Sequence, residues 1–182
     1  RVEYRSAGLT VTGFYRERLA AGALVERQIA EPAALAEQLA AAVASLGGGS
    51  GVRAAIAVPT AAAISKRLEM PAELTESQLE ELLGFEIEQH IPYPSDEICW
   101  DFTRAAPIAD SAHTAVELVA CRREYVEARR DLLSSAGLEP VLIDVENFAL
   151  QRAFVLLKHQ LSESAEVVAL VDIGEQAIAL TV

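Results

Sequence analysis

The amino-acid sequence predicts an α/β protein in which strands and helices alternate and form layers around mixed sheets. Two observations support this fold class. Short apolar runs bounded by glycine or proline alternate along the chain with stretches of helical periodicity. The chain has 182 residues, of which 52% are hydrophobic, and this is enough for one good-sized core or two small ones.

The first part of the chain contains two predicted strands, an irregular segment and a helix. Residues 2–4 and 9–15 have the character of strands, whereas residues 20–30 show no regular pattern. A helix is predicted from Pro32, a residue suited to the first helical position. It is expected to end at the glycine-rich run 47–51, which we interpret as a loop and not as a domain linker.

The central block 60–142 is predicted to be a self-contained β-α-β-β-α-β unit, in the manner of an inserted subdomain. Thr75 and Gln78 have the spacing of a capping box that begins a helix, and Pro92 must end that helix. Gly137 suits a helix C-terminus. From residue 53 onward the predicted strands are 53–58, 64–70, 97–103, 114–121 and 140–145, a loop spans 105–113, and the helices are 75–90, 123–136 and 146–161.

Residues 167–182 predict a strand, a tight Asp172-Ile173-Gly174 turn and a returning strand. Gly174 can take the positive φ that a short hairpin turn often requires. Such a turn would place an acidic side chain and backbone N–H groups at a hairpin tip, where they can hold a phosphate or a metal–phosphate complex. An ordinary hairpin has the same pattern, and these residues alone leave both interpretations open.

The charge of the chain excludes two classes of partner. The net charge is −12, so no basic face is expected for nucleic acid, and anionic lipid would be repelled. Basic or neutral apolar protein partners remain. No apolar run approaches the roughly 20 residues that span a bilayer, and the N-terminus has no signal-peptide core. We expect a cytosolic fragment that begins after its natural start.

The sequence contains no recognisable catalytic constellation. The three histidines, His90, His113 and His159, are far apart, and the nucleophile-elbow, phosphate-loop and zinc-protease motifs are absent. Cys99 and Cys121 match no zinc spacing and are expected to be reduced core residues in separate strands. The chain is therefore not expected to be an enzyme.

Three segments of the sequence resemble the PilM family of type IV pilus assembly proteins, which are cytosolic relatives of the cell-division protein FtsA. They are EIEQHIPYPSDEICWDF (86–102), VACRREYVEARRDLLSSAGLEPVLIDVENFALQRAF (119–154) and VVALVDIGEQAIALTV (167–182). The resemblance is collinear along the whole chain. Its most specific parts are the Ile-Pro-Tyr-Pro helix end and the run from Ala-Gly-Leu to Asp-Val-Glu.

The resemblance implies an actin-like, ribonuclease H-like fold. Residues 1–59 and 143–171 would form the first actin-like subdomain, and 60–142 would be the inserted subdomain of the FtsA and PilM type. Residues 172–182 would begin a second, truncated lobe. Asp172-Ile173-Gly174 would then be the second phosphate-binding hairpin, and the first would precede Arg1. By this comparison the chain covers roughly the first half of a family member.

The resemblance also implies a scaffold or adaptor function. PilM binds the short cytoplasmic N-terminus of the inner-membrane protein PilN, near the junction of the inserted subdomain and the first lobe. Other pilus alignment-complex proteins and self-association are further expected partners; nucleic acid and direct membrane insertion are not expected. The protein would be cytoplasmic and peripheral to the inner membrane. The candidate contact residues are Ile91, Pro92, Tyr93 and Trp100, although a helix stop and a core aromatic explain these residues better.

A nucleotide site is the second implication of the resemblance. Family members can bind ATP, so ATP and Mg²⁺ are candidate cofactors of the full-length protein, with Asp172, Gly174, Glu175 and Gln176 as hairpin residues. In this chain Glu175 adds negative charge where a phosphate would sit, and the hydroxyl residues usual after this motif are absent. We therefore expect no cofactor in this fragment. The alternatives to a scaffold are an ATP-binding actin-like switch and a polymer-forming subunit.

Overall fold

The computed structural model describes residues 1–5, 8–107, 112–157, 167–174 and 178–182. The chain divides into two compact units. Unit 1 comprises Arg1–Ile56 and Tyr125–Ile143, and unit 2 comprises Ala57–Glu124 and Asp144–Val182. Each unit is thus built from two separate stretches of the sequence.

Unit 1 begins with two antiparallel hairpins. Strand β1 (Val2–Arg5) pairs with β2 (Gly8–Val11), and Gly8 has a φ of 110°, a conformation that favours glycine. The expected strand over residues 9–15 therefore ends at Val11. A second hairpin, β3 (Leu24–Val25) and β4 (Gln28–Ile29), lies in the segment that was expected to be irregular.

Helix α1 (Pro32–Ser45) follows the second hairpin and has proline in its first turn, as predicted. Helix α3 (Arg123–Ser135) ends at Gly137, whose φ of 76° confirms the expected glycine C-terminus. Strand β9 (Glu139–Val145) follows α3 and pairs with β5 (Arg53–Val58).

The core of unit 1 joins its two sequence stretches. Leu35 on α1 and Leu132 on α3 are both buried and belong to one apolar cluster, with Ile56 of β5 packed against it. The backbone of Gly51 donates a hydrogen bond of 2.8 Å to the carbonyl of Gly137. Both stretches are therefore needed to complete this core.

Unit 2 contains a three-stranded antiparallel sheet. Its strands are β6 (Ala63–Pro71), β7 (Ile98–Pro107) and β8 (His113–Arg122), in the order β6-β8-β7. Unit 2 also contains helix α2 (Glu76–His90), helix α4 (Glu146–Leu157), and the hairpin of β10 (Leu170–Ile173) and β11 (Ile178–Thr181).

Helix α2 packs on one face of this sheet because the apolar residues of both elements recur at the right spacing. Leu79, Leu83 and Ile87 are four residues apart and almost completely buried. They meet a sheet face to which β8 contributes Val116 and Leu118.

The pairing of β9 differs from the unit expected for residues 60–142. The β-α-β-β part of that unit is present as β6, α2, β7 and β8, but its expected last strand, β9, pairs with β5. The sheet order of β6-β8-β7 leaves β6 and β7 at the two edges. The subdomain boundaries that the resemblance implies stay predictions.

The capping box of α2 provides a first test of local stability. The Thr75 hydroxyl accepts a hydrogen bond from the Gln78 backbone N–H at 3.3 Å, and the Gln78 side chain accepts one from the Thr75 N–H at 3.0 Å. We expect Thr75→Ala to lower the free energy of unfolding by about 1 kcal/mol. Urea denaturation measures this, with Ser77→Ala in the same helix turn as the control. Equal stability of the two variants would contradict the role of the cap.

Candidate partner-binding site

An open depression of about 360 Å³ runs along strand β7 in unit 2. Strand β7 lies at an edge of its sheet, so the depression borders backbone groups that can pair with another strand. The lining residues come from α2, β7 and the first residue of α3: Glu80, Ile98, Cys99, Trp100, Asp101, Phe102 and Arg123.

Two aromatic side chains form the apolar part of the depression. Trp100 and Phe102 alternate along β7 and therefore point to the same face of the sheet. Their ring centroids are 6.4 Å apart with an interplanar angle of 27°, which is a stacked arrangement. Both are only partly buried, so they support the core beneath α2 and still offer apolar surface to a ligand.

The charged part of the depression is held in place by hydrogen bonds. The Arg123 guanidinium donates to the carbonyls of Asp96 at 2.9 Å and Ile98 at 2.7 Å, and so covers the start of β7. The Asp101 carboxylate accepts a bond of 2.8 Å from the Phe102 backbone N–H. Glu80 is exposed on α2. The depression therefore has a positive charge at the start of β7, from Arg123, and two negative charges further along, from Glu80 and Asp101.

The helix end at residues 91–94 has two structural roles that the sequence left open. Ile91 is only 2% exposed and packs in the core with Ile87 and Ile98, so its side chain offers no surface to a partner. Pro92 is exposed. Tyr93 is 37% exposed, and the Arg122 guanidinium lies over its ring, 5.8 Å from the centroid.

The loop that carries Tyr93 is fastened to α2 by a carboxylate. Glu88 accepts a hydrogen bond of 2.9 Å from the Ser95 backbone N–H, and this bond lowers the pKa of the Glu88 carboxyl below its usual 4.5. The same helix end carries His90, whose imidazole lies 3.8 Å from Glu86. A surface role for His90 near a helix C-terminus agrees with this position.

The hydrogen bond from Ser95 to Glu88 predicts that the stability of the chain depends on pH. Because the pKa of Glu88 is lower in the folded than in the unfolded chain, its contribution to stability is full above pH 4.5 and is lost as pH falls through the folded pKa. We therefore expect Glu88→Gln to be less stable than the unchanged chain at pH 7 and to approach it below pH 4.5. Urea midpoints across this range measure the difference, and Glu81→Gln is the control. A gap that stays constant with pH would contradict the assignment.

The C-terminal hairpin is present, but Asp172 and Ile173 belong to strand β10 and not, as expected, to the turn. Strands β10 and β11 are antiparallel, with Asp172 opposite Ala179 and Ile173 opposite Ile178. Asp172 and Gly174 are exposed. The other two predicted hairpin residues, Glu175 and Gln176, lie outside the described residues, as does His159.

The described side chains of this hairpin do not fit a nucleotide phosphate. The residues next to Asp172 along and across the hairpin are apolar, and Ile173 and Ile178 are 76% and 70% exposed. They bring no cationic or hydroxyl group to a phosphate. Within the described ranges no group of three potential metal ligands occurs.

Among the residues that the structure describes, none forms a helix both long enough and apolar enough to span a bilayer.

The mixed α/β architecture, with a three-stranded antiparallel sheet and a separate β5–β9 pair, is that of the actin-like class of proteins. The chain belongs to the PilM family, because the family model described as type IV pilus assembly protein PilM matches residues 1–182. The resemblance in the sequence and the predicted fold class are thereby confirmed.

Two solved structures are similar to the chain. One is described as the PilM-PilN type IV pilus biogenesis complex; it is 27% identical, has a TM-score of 0.80, and the match covers 98% of this chain and 53% of that chain. The chain thus spans about half the length of that relative. The other is the cytoplasmic domain of EpsL, an inner membrane component of the type II secretion system of Vibrio cholerae. It is 18% identical with a TM-score of 0.46, covering 65% of this chain and 44% of that chain.

The structure brings together only part of the predicted partner site. Trp100 lines the depression, whereas Ile91 is in the core and Pro92 and Tyr93 are not among the lining residues. Sequence reasoning missed Glu80 and Arg123. The alternation of residues 98–102 identified β7 as a half-buried strand, but no sequence signal shows that β7 lies at a sheet edge.

Proposed function

We propose that the chain is an adaptor of the type IV pilus inner-membrane assembly machinery and that it binds the N-terminal cytoplasmic peptide of PilN along β7. Membership of the PilM family supports the role in pilus assembly. The observation that carries the peptide site is an open, partly apolar depression along β7, an edge strand of the three-stranded sheet that the structure describes.

An edge strand suits an extended peptide for a physical reason. A peptide that lies alongside β7 can add a strand to the sheet, with main-chain hydrogen bonds that give affinity and side-chain contacts that give specificity. The stacked Trp100 and Phe102 rings would receive apolar side chains of the peptide. The peptide would have to displace the Asp101 carboxylate from the Phe102 N–H.

The charge of the chain favours a basic peptide. The net charge of −12 raises the local concentration of a cationic partner, and Glu80 and Asp101 place carboxylates at the depression itself. A peptide with lysine or arginine next to apolar residues matches both parts of the depression. Binding should weaken with salt, since these carboxylates are accessible to solvent.

Intrinsic fluorescence gives a direct test because Trp100 is the one tryptophan of the chain. Titration of a synthetic N-terminal peptide of the cognate PilN should shift the Trp100 emission and release or absorb heat with the same midpoint. A fluorescence and heat response that is absent at high micromolar peptide would overturn the proposal of peptide binding.

Reversing the charge of Glu80 tests whether the peptide binds in the depression along β7. Glu80→Lys should weaken peptide binding about tenfold, which corresponds to about 1.4 kcal/mol. Glu81→Lys is the matched control, because Glu81 is exposed on the same helix, does not line the depression and changes the net charge equally. Equal weakening by both variants would place the peptide elsewhere and leave only the long-range charge effect.

We further propose that the role is binding and not catalysis. The protein would be cytoplasmic and peripheral to the inner membrane through PilN, where other alignment-complex proteins can contact it. Residues 1–182 are expected to bind neither ATP nor Mg²⁺, since the side chains around Asp172 are apolar. Tight ATP binding by residues 1–182 alone would contradict this part of the proposal.

A further inference from the structure

Two thiols face each other across adjacent strands of the three-stranded sheet. Cys99 on β7 is directly opposite Cys121 on β8, and both residues are present as thiols. They are the two cysteines of the whole chain. The function proposed above makes no use of either side chain.

The register places the two cysteines directly opposite each other, with their side chains on the same face of the sheet. Residues directly opposite in antiparallel strands have Cα atoms about 4.5–5.5 Å apart. A disulfide requires a Cα separation of about 4.4–6.8 Å. The Cα separation expected for this pair lies within that range, and closing the bond requires the two Cβ atoms to move slightly toward each other.

The neighbours of the pair leave room for a bond. Cys121 is opposite Ala63 on its other side, in strand β6, so the row across the sheet is Ala63, Cys121 and Cys99. Alanine is the smallest side chain with a Cβ and does not compete for the space between the two sulfurs. The next residue pair on this face, one step along, is Asp101 with Val119.

The two thiols differ in accessibility. Cys99 is half-buried and lines the open depression along β7, whereas Cys121 is only 8% exposed. An oxidant in solution can reach Cys99 because this residue is partly exposed, and Cys121 then lies next to the modified sulfur. This is the arrangement of an attacking thiol and a resolving thiol.

We propose that Cys99 and Cys121 form a redox-sensitive modification site that takes small-molecule disulfides as its oxidant. The Cys99 thiolate attacks one sulfur of the oxidant, forms a mixed disulfide and releases one equivalent of thiol. The Cys121 thiolate then attacks the Cys99 sulfur, forms the intramolecular disulfide and releases the second equivalent. Each thiol gives up one proton; the pair is oxidised by two electrons and the small disulfide is reduced by two.

The bond would change the depression that Cys99 lines. It would tie the edge strand β7 to the central strand β8 and remove a thiol from the surface along which an extended peptide would lie. A disulfide that is partly exposed has a higher reduction potential than a buried structural one and is the labile, regulatory kind. The site would therefore respond reversibly to the thiol–disulfide balance.

The test is a titration of residues 1–182 with mixtures of oxidised and reduced glutathione, followed by rapid alkylation and intact-mass measurement. We expect a monomer that is about 2 Da lighter and carries no alkyl group, because two hydrogens are lost and no thiol remains. Reduction should restore two alkylation sites. A final state with two alkylated thiols, a stable glutathione adduct or a disulfide-linked dimer would overturn the proposal.

Single-cysteine variants supply the matched controls. Cys99→Ser and Cys121→Ser should each stop at a glutathione adduct or remain unmodified, and Cys121→Ser should react faster because it keeps the accessible thiol. If a serine variant does not fold, phenylarsine oxide tests the geometry on the unchanged chain. One equivalent of this trivalent arsenical should block both thiols at once; two thiols that remain reactive would contradict the juxtaposition.

Discussion

Replacement of Leu83 by alanine should lower the free energy of unfolding by about 3 kcal/mol, the largest stability effect that we expect for a single truncation in unit 2. Leu83 is 0% exposed and belongs to the cluster of Met70, Leu79 and Val116 beneath α2. The truncation removes apolar contacts and leaves a cavity, and a helix packed on a sheet can close that cavity only in part.

Urea denaturation followed by the fluorescence of Trp100 measures this loss, because Trp100 packs against the same cluster. Phe85→Ala is the control: Phe85 is on the same helix, but its side chain is 79% exposed. The control should change stability by less than about 0.5 kcal/mol. A comparable loss in both variants would contradict the attribution of the loss to the burial of Leu83.

Replacement of Arg129 by alanine should cost about 2 kcal/mol in unit 1. Arg129 is a charged residue that is only 5% exposed. Its guanidinium donates hydrogen bonds to the carbonyls of Tyr125 at 3.0 Å and Arg27 at 3.4 Å. The variant leaves the carbonyl groups of Tyr125 and Arg27 without this donor and removes the packing of a long side chain.

The bond to Arg27 also supports a turn in an unfavourable conformation. Glu26 and Arg27 have φ angles of 48° and 64°, in the left-handed region that favours glycine. Hydrogen exchange should therefore speed up at the β3–β4 hairpin when Arg129 is replaced. Arg130→Ala is the control, since Arg130 is exposed and pairs only with its neighbour Asp131 at 3.1 Å among the described contacts. Unchanged exchange at the hairpin in Arg129→Ala would contradict the link.

The sequence was sufficient to predict the elements whose signals are local. The capping box at Thr75, the proline at the start of α1 and the glycine after α3 each act within a few residues, and each is in the predicted place. The alternation that identified β7 and β8 is likewise a property of short stretches. The wider resemblance to PilM then gave the fold class that the family match confirms.

Elements that depend on distant residues could not be predicted in this way. The β3–β4 hairpin has Glu26 and Arg27 in its turn, where glycine or asparagine would have been the signal. Arg129 of α3 donates a hydrogen bond to the Arg27 carbonyl in this turn, and no local sequence pattern predicts that contact. The pairing of β9 with β5 is also non-local, so the expected central unit included a strand that pairs elsewhere.

The candidate site shows the same limit. Trp100 was a candidate contact residue, and it does line the depression. Ile91 was another candidate, but this residue follows the last turn of α2 and is buried in the core, so its side chain is not available to a partner. The edge position of β7 and the opposition of Cys99 to Cys121 follow from strand order and register, which a single sequence does not contain.

The division of unit 1 into two sequence stretches has a consequence during synthesis on the ribosome. The three strands of the unit 2 sheet and α2 lie within one continuous stretch, so they can pair as soon as residue 122 has left the exit tunnel. The contact between Arg27 and Arg129 spans 102 residues of sequence. Residues 1–56 therefore emerge before α3 and must wait for it, and their apolar residues stay available to chaperones during that interval.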